Sequence, residues 1–261
     1  HANDKDLKTL TAKLVIGADG ALSKVRDWAS IGMNSNQYEQ QALVATVEYQ
    51  GEQQDITWQA FTSTGPLAFL PLMDVNEKHY GSLVWYDLPD KIRQLMTLDN
   101  AAFMSEVTQS FPAELPPLIK LLNKGSFTLV KRHAQHYVGH RVALAGDAAH
   151  TINPLAGQGV NLGFQDAATL IEVISEAHIQ GRDIGLADQL ASYERRRKLE
   201  NQKMMEIMDV FYHMFSNNHL PLKLLRNIGL GLADKLPFGK KKVIKYAMGL
   251  EGNLPKLAKP A

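Results

Sequence analysis

The chain has 261 residues, with 28 Lys and Arg against 27 Asp and Glu and a formal net charge of +1, so no charge excess singles out nucleic acid or another polyanion as a partner. Cysteine is absent, which excludes disulfides and thiolate-bound metal and fits a reducing cytoplasm. Hydrophobic residues make up 45% and charged residues 21%, ordinary for a globular chain able to bury ~70–75% of its unfolded surface, and no apolar run of ~18 residues predicts a spanning helix.

The chain opens at His1 rather than Met and runs almost at once into the strand-like Thr11 to Ile16. We therefore expect a piece of a longer domain. Residues 8–17 read as a strand ending at Gly17, and 21–29 as a short helix. Between them, Asp19-Gly20 reads either as a turn with helix capping or as a backbone-and-carboxylate contact to a dinucleotide. Arg26, one helical turn beyond Ser23, stands where a phosphate could be met.

From 41 to 87 the pattern turns to β, with runs at 43–49, 56–62, 67–72 and 79–86 separated by turn signals such as Gly65-Pro66. Two-residue alternation places Trp58 and Ala60 opposite Gln59 and Phe61. Residues 90–122 are predicted helical, broken around Pro112 and Pro116-Pro117, and 127–131 returns as a strand. Residues 141–145 form a short buried strand, followed by a loop and a helix over 157–180. From 186 to the end the prediction is helical, interrupted at Pro221, Pro237 and Pro255. A sheet-rich block inside a strand–loop–helix framework predicts a mixed α/β fold, a nucleotide-type domain carrying a second domain as an insertion.

The most informative stretch runs from Gly146-Asp147 through Pro154 to Gly157-Gln158-Gly159-Val160-Asn161 and Gly163. It follows a strand, and ligands of open α/β sheets collect at strand carboxyl ends. Asp147 suits the hydroxyls of a sugar or polyol. Gly157 and Gly159 let backbone amides approach a flat ring, at a helix start with unpaired N–H groups and partial positive charge. The plainer alternative is a structural glycine loop. His150 is read as packing against or hydrogen-bonding this loop rather than as a base. His133 and His136 lack a third ligand, so no metal site is expected.

Together the 17–26 and 146–163 stretches resemble the paired signatures of the class A flavoprotein aromatic hydroxylases, and within them the ubiquinone-biosynthesis hydroxylases. The resemblance extends to Thr57-Trp58-Gln59-Ala60-Phe61-Thr62, Ala68-Phe69-Leu70-Pro71-Leu72, Ser82-Leu83-Val84-Trp85-Tyr86-Asp87 and Phe215-Ser216-Asn217-Asn218. It implies that Asp19, Gly20 and Arg26 meet the dinucleotide part of FAD and its nicotinamide partner. It also implies that Gly146 and Asp147 meet the ribityl chain, and that Pro154, Gly157, Gln158, Gly159, Val160 and Asn161 line the flavin ring.

The implied fold is a truncated para-hydroxybenzoate-hydroxylase-like one. Residues 1–37 and 131–180 would be the remainder of a Rossmann-like FAD/NAD(P)-binding domain, 38–130 a β-sheet substrate domain, and 181–261 a C-terminal helical region. The implied reaction is hydroxylation of a polyprenyl benzoquinol, with NAD(P)H as co-substrate and oxygen activated at the flavin C4a position. No catalytic acid or base is assigned, because a hydroquinol ring is already activated. Trp58, Phe61, Phe69, Trp85 and Tyr86 are candidates for an apolar substrate pocket, weighed against ordinary core packing. No Gly-x-Gly-x-x-Gly occurs in the chain, so the ADP side of the flavin site is expected to be missing.

Two basic runs, Arg195-Arg196-Arg197-Lys198 and Lys240-Lys241-Lys242, read as solvated helix faces. With the apolar residues of 204–250 they also suggest peripheral docking on an acidic membrane surface or membership of a multi-enzyme assembly. A related enzyme acting on another phenol, and a non-catalytic scaffold, stay open at this point.

Overall fold

The computed structural model describes residues 9–154, 157–215 and 254–258. The chain divides into two compact units, one of residues 1–35, 131–206 and 238–261, the other of residues 36–130 and 207–237.

The first unit contains a three-stranded sheet. Strand β1 (Val15–Gly17) pairs in parallel with β8 (Val142–Leu144), which pairs antiparallel with β7 (Val138–Gly139). Helix α1 (Lys24–Trp28) follows β1, and α4 (Gln158–Ile179) follows β8. Helix α5 (Ala187–Phe215) supplies its residues up to 206. On α4, Leu162, Asp166, Thr169, Leu170, Val173 and Ala177 are buried, the three-and-four spacing of a helix with one face inward. Leu170 and Val173 pack with Tyr137, Ala143, Leu144, Leu190 and Tyr193 in the core. The Tyr193 hydroxyl donates to the Leu144 carbonyl at 2.5 Å, which satisfies the polar end of a buried ring.

The second unit is built on a sheet in the order β3 (Trp58–Thr62), β4 (Gly65–Pro71), β5 (His79–Asp87), β2 (Met33–Tyr49) and β6 (Leu118–Ala134). The pairs β3–β4, β4–β5 and β5–β2 are antiparallel. Leu43, Ala45, Val47 and Tyr49 of β2 sit on one face with Leu67, Phe69, Leu83 and Trp85. Two helices close that face, α2 (Pro89–Thr97) and α3 (Asn100–Ser110), through Ile92, Leu95, Phe103 and Val107. Pro89 opens α2, where its missing N–H costs nothing. The Asp99 carboxylate caps α3 by accepting from the Ala102 N–H at 2.8 Å.

One element departs from expectation. Residues 118–122, predicted helical, form the start of β6. Leu and Lys favour helix, but intrinsic propensity is a weak force that sheet pairing overrides. The Pro117 carbonyl accepts from Gln50 N at 2.8 Å and fixes the strand start. The Lys124 ammonium then donates to the Leu95 and Leu98 carbonyls at 2.8 and 2.5 Å, closing the carboxyl end of α2.

Two basic or apolar runs also read differently. Arg197 is buried rather than solvated, and Met204, Met205 and Met208 lie inside the protein rather than on an open face. Lys240-Lys241-Lys242 and Asn217-Asn218 lie outside the described residues. Among the described residues no helix is long and apolar enough to cross a membrane.

Because Phe103 is fully buried between α3 and the sheet, Phe103→Ala is expected to lower unfolding free energy by about 3–5 kcal/mol, read as a fall in the urea midpoint.

Candidate active site

Parallel pairing of β1 with β8 sets Gly17 beside Leu144, and the Ala145 N–H extends the ladder to the Gly17 carbonyl at 2.9 Å. The two motif segments therefore leave neighbouring strand ends in the same direction. Arg26 joins them again one step further on. Its side chain is buried, and Nη1 donates to the Ala148 carbonyl at 3.2 Å and the Ala21 carbonyl at 3.3 Å. Asp19 is exposed and caps α1: one oxygen lies 2.5 Å from the Ser23 hydroxyl, and the other accepts from Lys24 N at 2.7 Å and Val25 N at 3.2 Å. The Ser23 hydrogen bond, with the backbone donors, holds the Asp19 carboxyl below its usual value against a smaller opposing effect of desolvation. Gly20 follows at φ +82°, in the left-handed region that suits a glycine turn.

After β8, Gly146–Ala148 form one 3-10 turn that presents the Asp147 carboxylate to solvent. Gly146 has φ +59°, and a Cβ built on Gly163 of α4 would stand 3.4 Å from its Cα. The turn and the helix thus meet backbone to backbone. At the start of α4, Gly157 is left-handed at φ +64° with no side-chain cap. Nothing lies within 4 Å of a Cβ added at Gly157 or Gly159. Pro154, Gly157, Val160 and Asn161 are exposed, whereas Gln158 is buried and its Oε1 accepts from Asn161 Nδ2 at 3.4 Å.

These residues fit an FAD-type cofactor. An uncapped 22-residue helix offers free N–H groups and partial positive charge beside open space. A solvent-facing carboxylate stands at the adjoining strand end. Among the described residues, buried side-chain atoms of Thr151 and Asn153, in the connecting segment, have no hydrogen-bond partner.

The five aromatic candidates belong to the second unit and divide between its sheet faces. Trp58, Phe69 and Trp85 pack in the core with α2 and α3, so ordinary packing occupies them. Phe61 and Tyr86 take the opposite register, paired with Pro66 and Ala42. Phe61 is exposed and Tyr86 buried; burial pushes the Tyr86 phenol well above its usual range.

Sequence reasoning did not single out the polar network beneath the Gly146 turn. Asp166, fully buried, accepts from Gly146 N at 3.0 Å, Arg197 Nε at 2.7 Å and Asn201 Nδ2 at 3.0 Å, and its Oδ2 lies 2.5 Å from His150 Nε2. Arg197 also donates to Asn201 Oδ1 at 2.8 Å, and Asn201 Nδ2 to the Tyr137 hydroxyl at 3.2 Å. That hydroxyl stands 3.0 Å from His133 Nε2, and the Tyr137 ring stacks on His150. A carboxylate inside an otherwise apolar helix stripe, with Arg197 and Asn201 four apart on α5, was the available signal.

Burial alone would raise the Asp166 carboxyl, but the hydrogen bonds and charges of His150 and Arg197 outweigh it and hold it below its ordinary 3.8. Desolvation, helped by His150, Lys198 and Lys131, lowers His133 from 6.5 to about 4.

Asp166→Ala would leave the Arg197 charge buried and unpaired, an expected loss of about 3–5 kcal/mol by chemical denaturation. The lowered Asp166 pKa gives stability that is present above pH 3.8 and lost as pH falls through the folded value. The neutral folded His133 gives stability that is full above 6.5 and declines as pH falls toward about 4, where the unfolded chain takes up the proton first. His133→Gln is expected to flatten the decline in urea midpoint between those two pH values.

The chain is similar to several known proteins. The chain is 46% identical over 243 residues to 3-demethoxyubiquinol 3-hydroxylase of Escherichia coli strain K12, covering 93% of this chain and 61% of that protein. It is 33% identical over 281 residues to the human protein named ubiquinone biosynthesis monooxygenase COQ6, mitochondrial, covering 95% of this chain and 59% of that one. The chain thus spans about three-fifths of the length of these relatives.

Among solved structures, p-nitrophenol 4-monooxygenase PnpA from Pseudomonas putida superposes with a TM-score of 0.70 at 17% identity, covering 92% of this chain and 60% of that one. OxyS anhydrotetracycline hydroxylase from Streptomyces rimosus does so with 0.64 at 21%, covering 93% and 47%. Both have the fold described here. A family model described as an FAD binding domain matches residues 1–207. Because that match takes in β1, β8, the Gly146 turn and α4, the chain belongs to the FAD-binding domain family.

Proposed function

We propose that the full-length protein is an FAD-dependent monooxygenase that hydroxylates the ring of a polyprenyl benzoquinol in ubiquinone biosynthesis, with O2 and NAD(P)H as co-substrates. The observation that carries this reading is the side-by-side exit of the Asp19 and Asp147 segments from β1 and β8, next to the glycine-opened start of α4. The similarity to proteins named for ubiquinone biosynthesis supplies the substrate class.

Asp147 accepts hydrogen bonds from the hydroxyls of the ribityl chain, a charge-assisted contact that a solvent-facing carboxylate makes without further desolvation of its own partners. Gly146, Gly157 and Gly159 let the backbone approach the ring face. Pro154, Gln158, Val160 and Asn161 border it. The N–H groups at the start of α4 stabilise negative charge that develops on the ring. Asp19 and Gly20 meet the dinucleotide at the neighbouring strand end, and Arg26 holds the two segments in register through the Ala148 carbonyl. When bound, FAD supplies electron uptake from NAD(P)H and the activation of oxygen. The protein's part is orientation and exclusion of water.

In the second unit, the sheet face bearing Phe61, Tyr86, Val44 and Val84 is our choice for contact with the apolar substrate. The opposite face is filled by its own helices. Peripheral association with the membrane is the natural setting for a polyprenyl substrate.

Asp147→Ala in the full-length protein is expected to weaken FAD about ten- to a hundredfold, the range for loss of hydrogen bonds to a charged group, measured by quenching of flavin fluorescence. Unchanged affinity would contradict the assignment. Product analysis with a short-chain demethoxyubiquinol separates this substrate from another phenol: NAD(P)H oxidation without a hydroxylated quinol would remove the substrate claim.

A further inference from the structure

Folded proteins pair nearly all their buried polar side-chain atoms, so each exception needs a reason. Among the described residues of the first unit, the exceptions fall together: Thr151 Oγ1, Asn153 Nδ2 and Asn153 Oδ1. Asn153 is 1% exposed, so neither end of its carboxamide meets bulk water. Two polar groups close to it in the chain are engaged. His150 is bonded to Asp166, and the Pro154 carbonyl accepts from Gly157 N at 3.0 Å. The unpaired group sits in the short connection between β9 (His150–Thr151) and α4, four residues before the left-handed Gly157 with its open surroundings. An amide carries one donor and one acceptor side by side, and a hydroxyl adds a second of either kind. That pattern complements the polar edge of a planar ring bearing carbonyl, hydroxyl or ring N–H groups. Strain of this sort persists where a ligand relieves it.

We propose that Asn153, seconded by Thr151, is a ligand-contacting residue whose carboxamide turns toward the Gly157 opening and hydrogen-bonds the polar edge of a bound ring. This rests on the functional reading above and adds a recognition element to the same site. Two rings could supply that edge, the flavin itself or the quinol being hydroxylated, and the measurements separate them.

The full-length protein and its Asn153→Leu variant, similar in volume and without polar atoms, are compared in three ways: the thermal midpoint without ligand, the FAD dissociation constant from flavin fluorescence, and the dissociation constant of a short-chain methoxy-methylbenzoquinol from the absorbance of bound flavin. The expected result is an unliganded midpoint unchanged or raised by about 2–4 °C, since an apolar group replaces an unsatisfied one, with about tenfold weaker binding of one ring. Loss confined to FAD assigns the contact to flavin, and loss confined to the benzoquinol assigns it to substrate. Binding of both rings within twofold of wild type, or weakening accompanied by a lower midpoint, overturns the proposal. A wild-type protein that binds no FAD sinks the functional reading instead; benzoquinol binding by calorimetry, compared between wild type and variant, then decides the present one.

Discussion

Asp166 is a carboxylate with no exposure to solvent, and its burial sets the terms for everything around it. An ionised group removed from water is tolerated only when each lone pair is occupied. Here His150, Arg197, Asn201 and the Gly146 N–H provide the partners, from β9, α5 and the turn after β8. Every one of those elements is thereby tied to a single point on α4. The resulting joint determines where the Gly146–Ala148 turn lies and which way Asp147 faces.

From that joint outward the polar groups change character. Inward, at Tyr137, Asn201 and Arg197, donors and acceptors are matched in a closed set. Outward, at Thr151 and Asn153, they are not, and the helix start at Gly157 has no cap. The contrast lies across a few residues of one connection. A matched interior holds its shape without help, whereas unmatched groups gain free energy when something else binds. Rigid support beneath and unsatisfied donors above is what precise orientation of a bound ring requires.

The parts of this arrangement readable in the sequence were those where the backbone itself constrains residue choice. Gly146, Pro154, Gly157 and Gly159 mark turns and close approaches directly, so the loop, its strand and its helix could be located. Strands of the second unit showed through their alternation at Trp58, Gln59, Ala60 and Phe61. What stayed hidden depended on distant partners. Leu118 to Leu122 has helix-forming side chains and becomes strand only because a neighbouring strand and a proline pair pull it out. Arg197 lies in a run of four cations, and nothing local distinguishes the one that faces inward. Trp58, Phe69 and Trp85 resembled a pocket because aromatic residues serve cores and binding sites equally well.

A Cβ added at Gly163 would stand 3.4 Å from the Gly146 Cα, already at van der Waals contact, so the turn and α4 lie one methyl group apart. Small residues on both sides of that contact let the Gly146 N–H reach the Asp166 carboxylate on α4 at 3.0 Å, so the backbone of the turn itself helps to neutralise a buried charge.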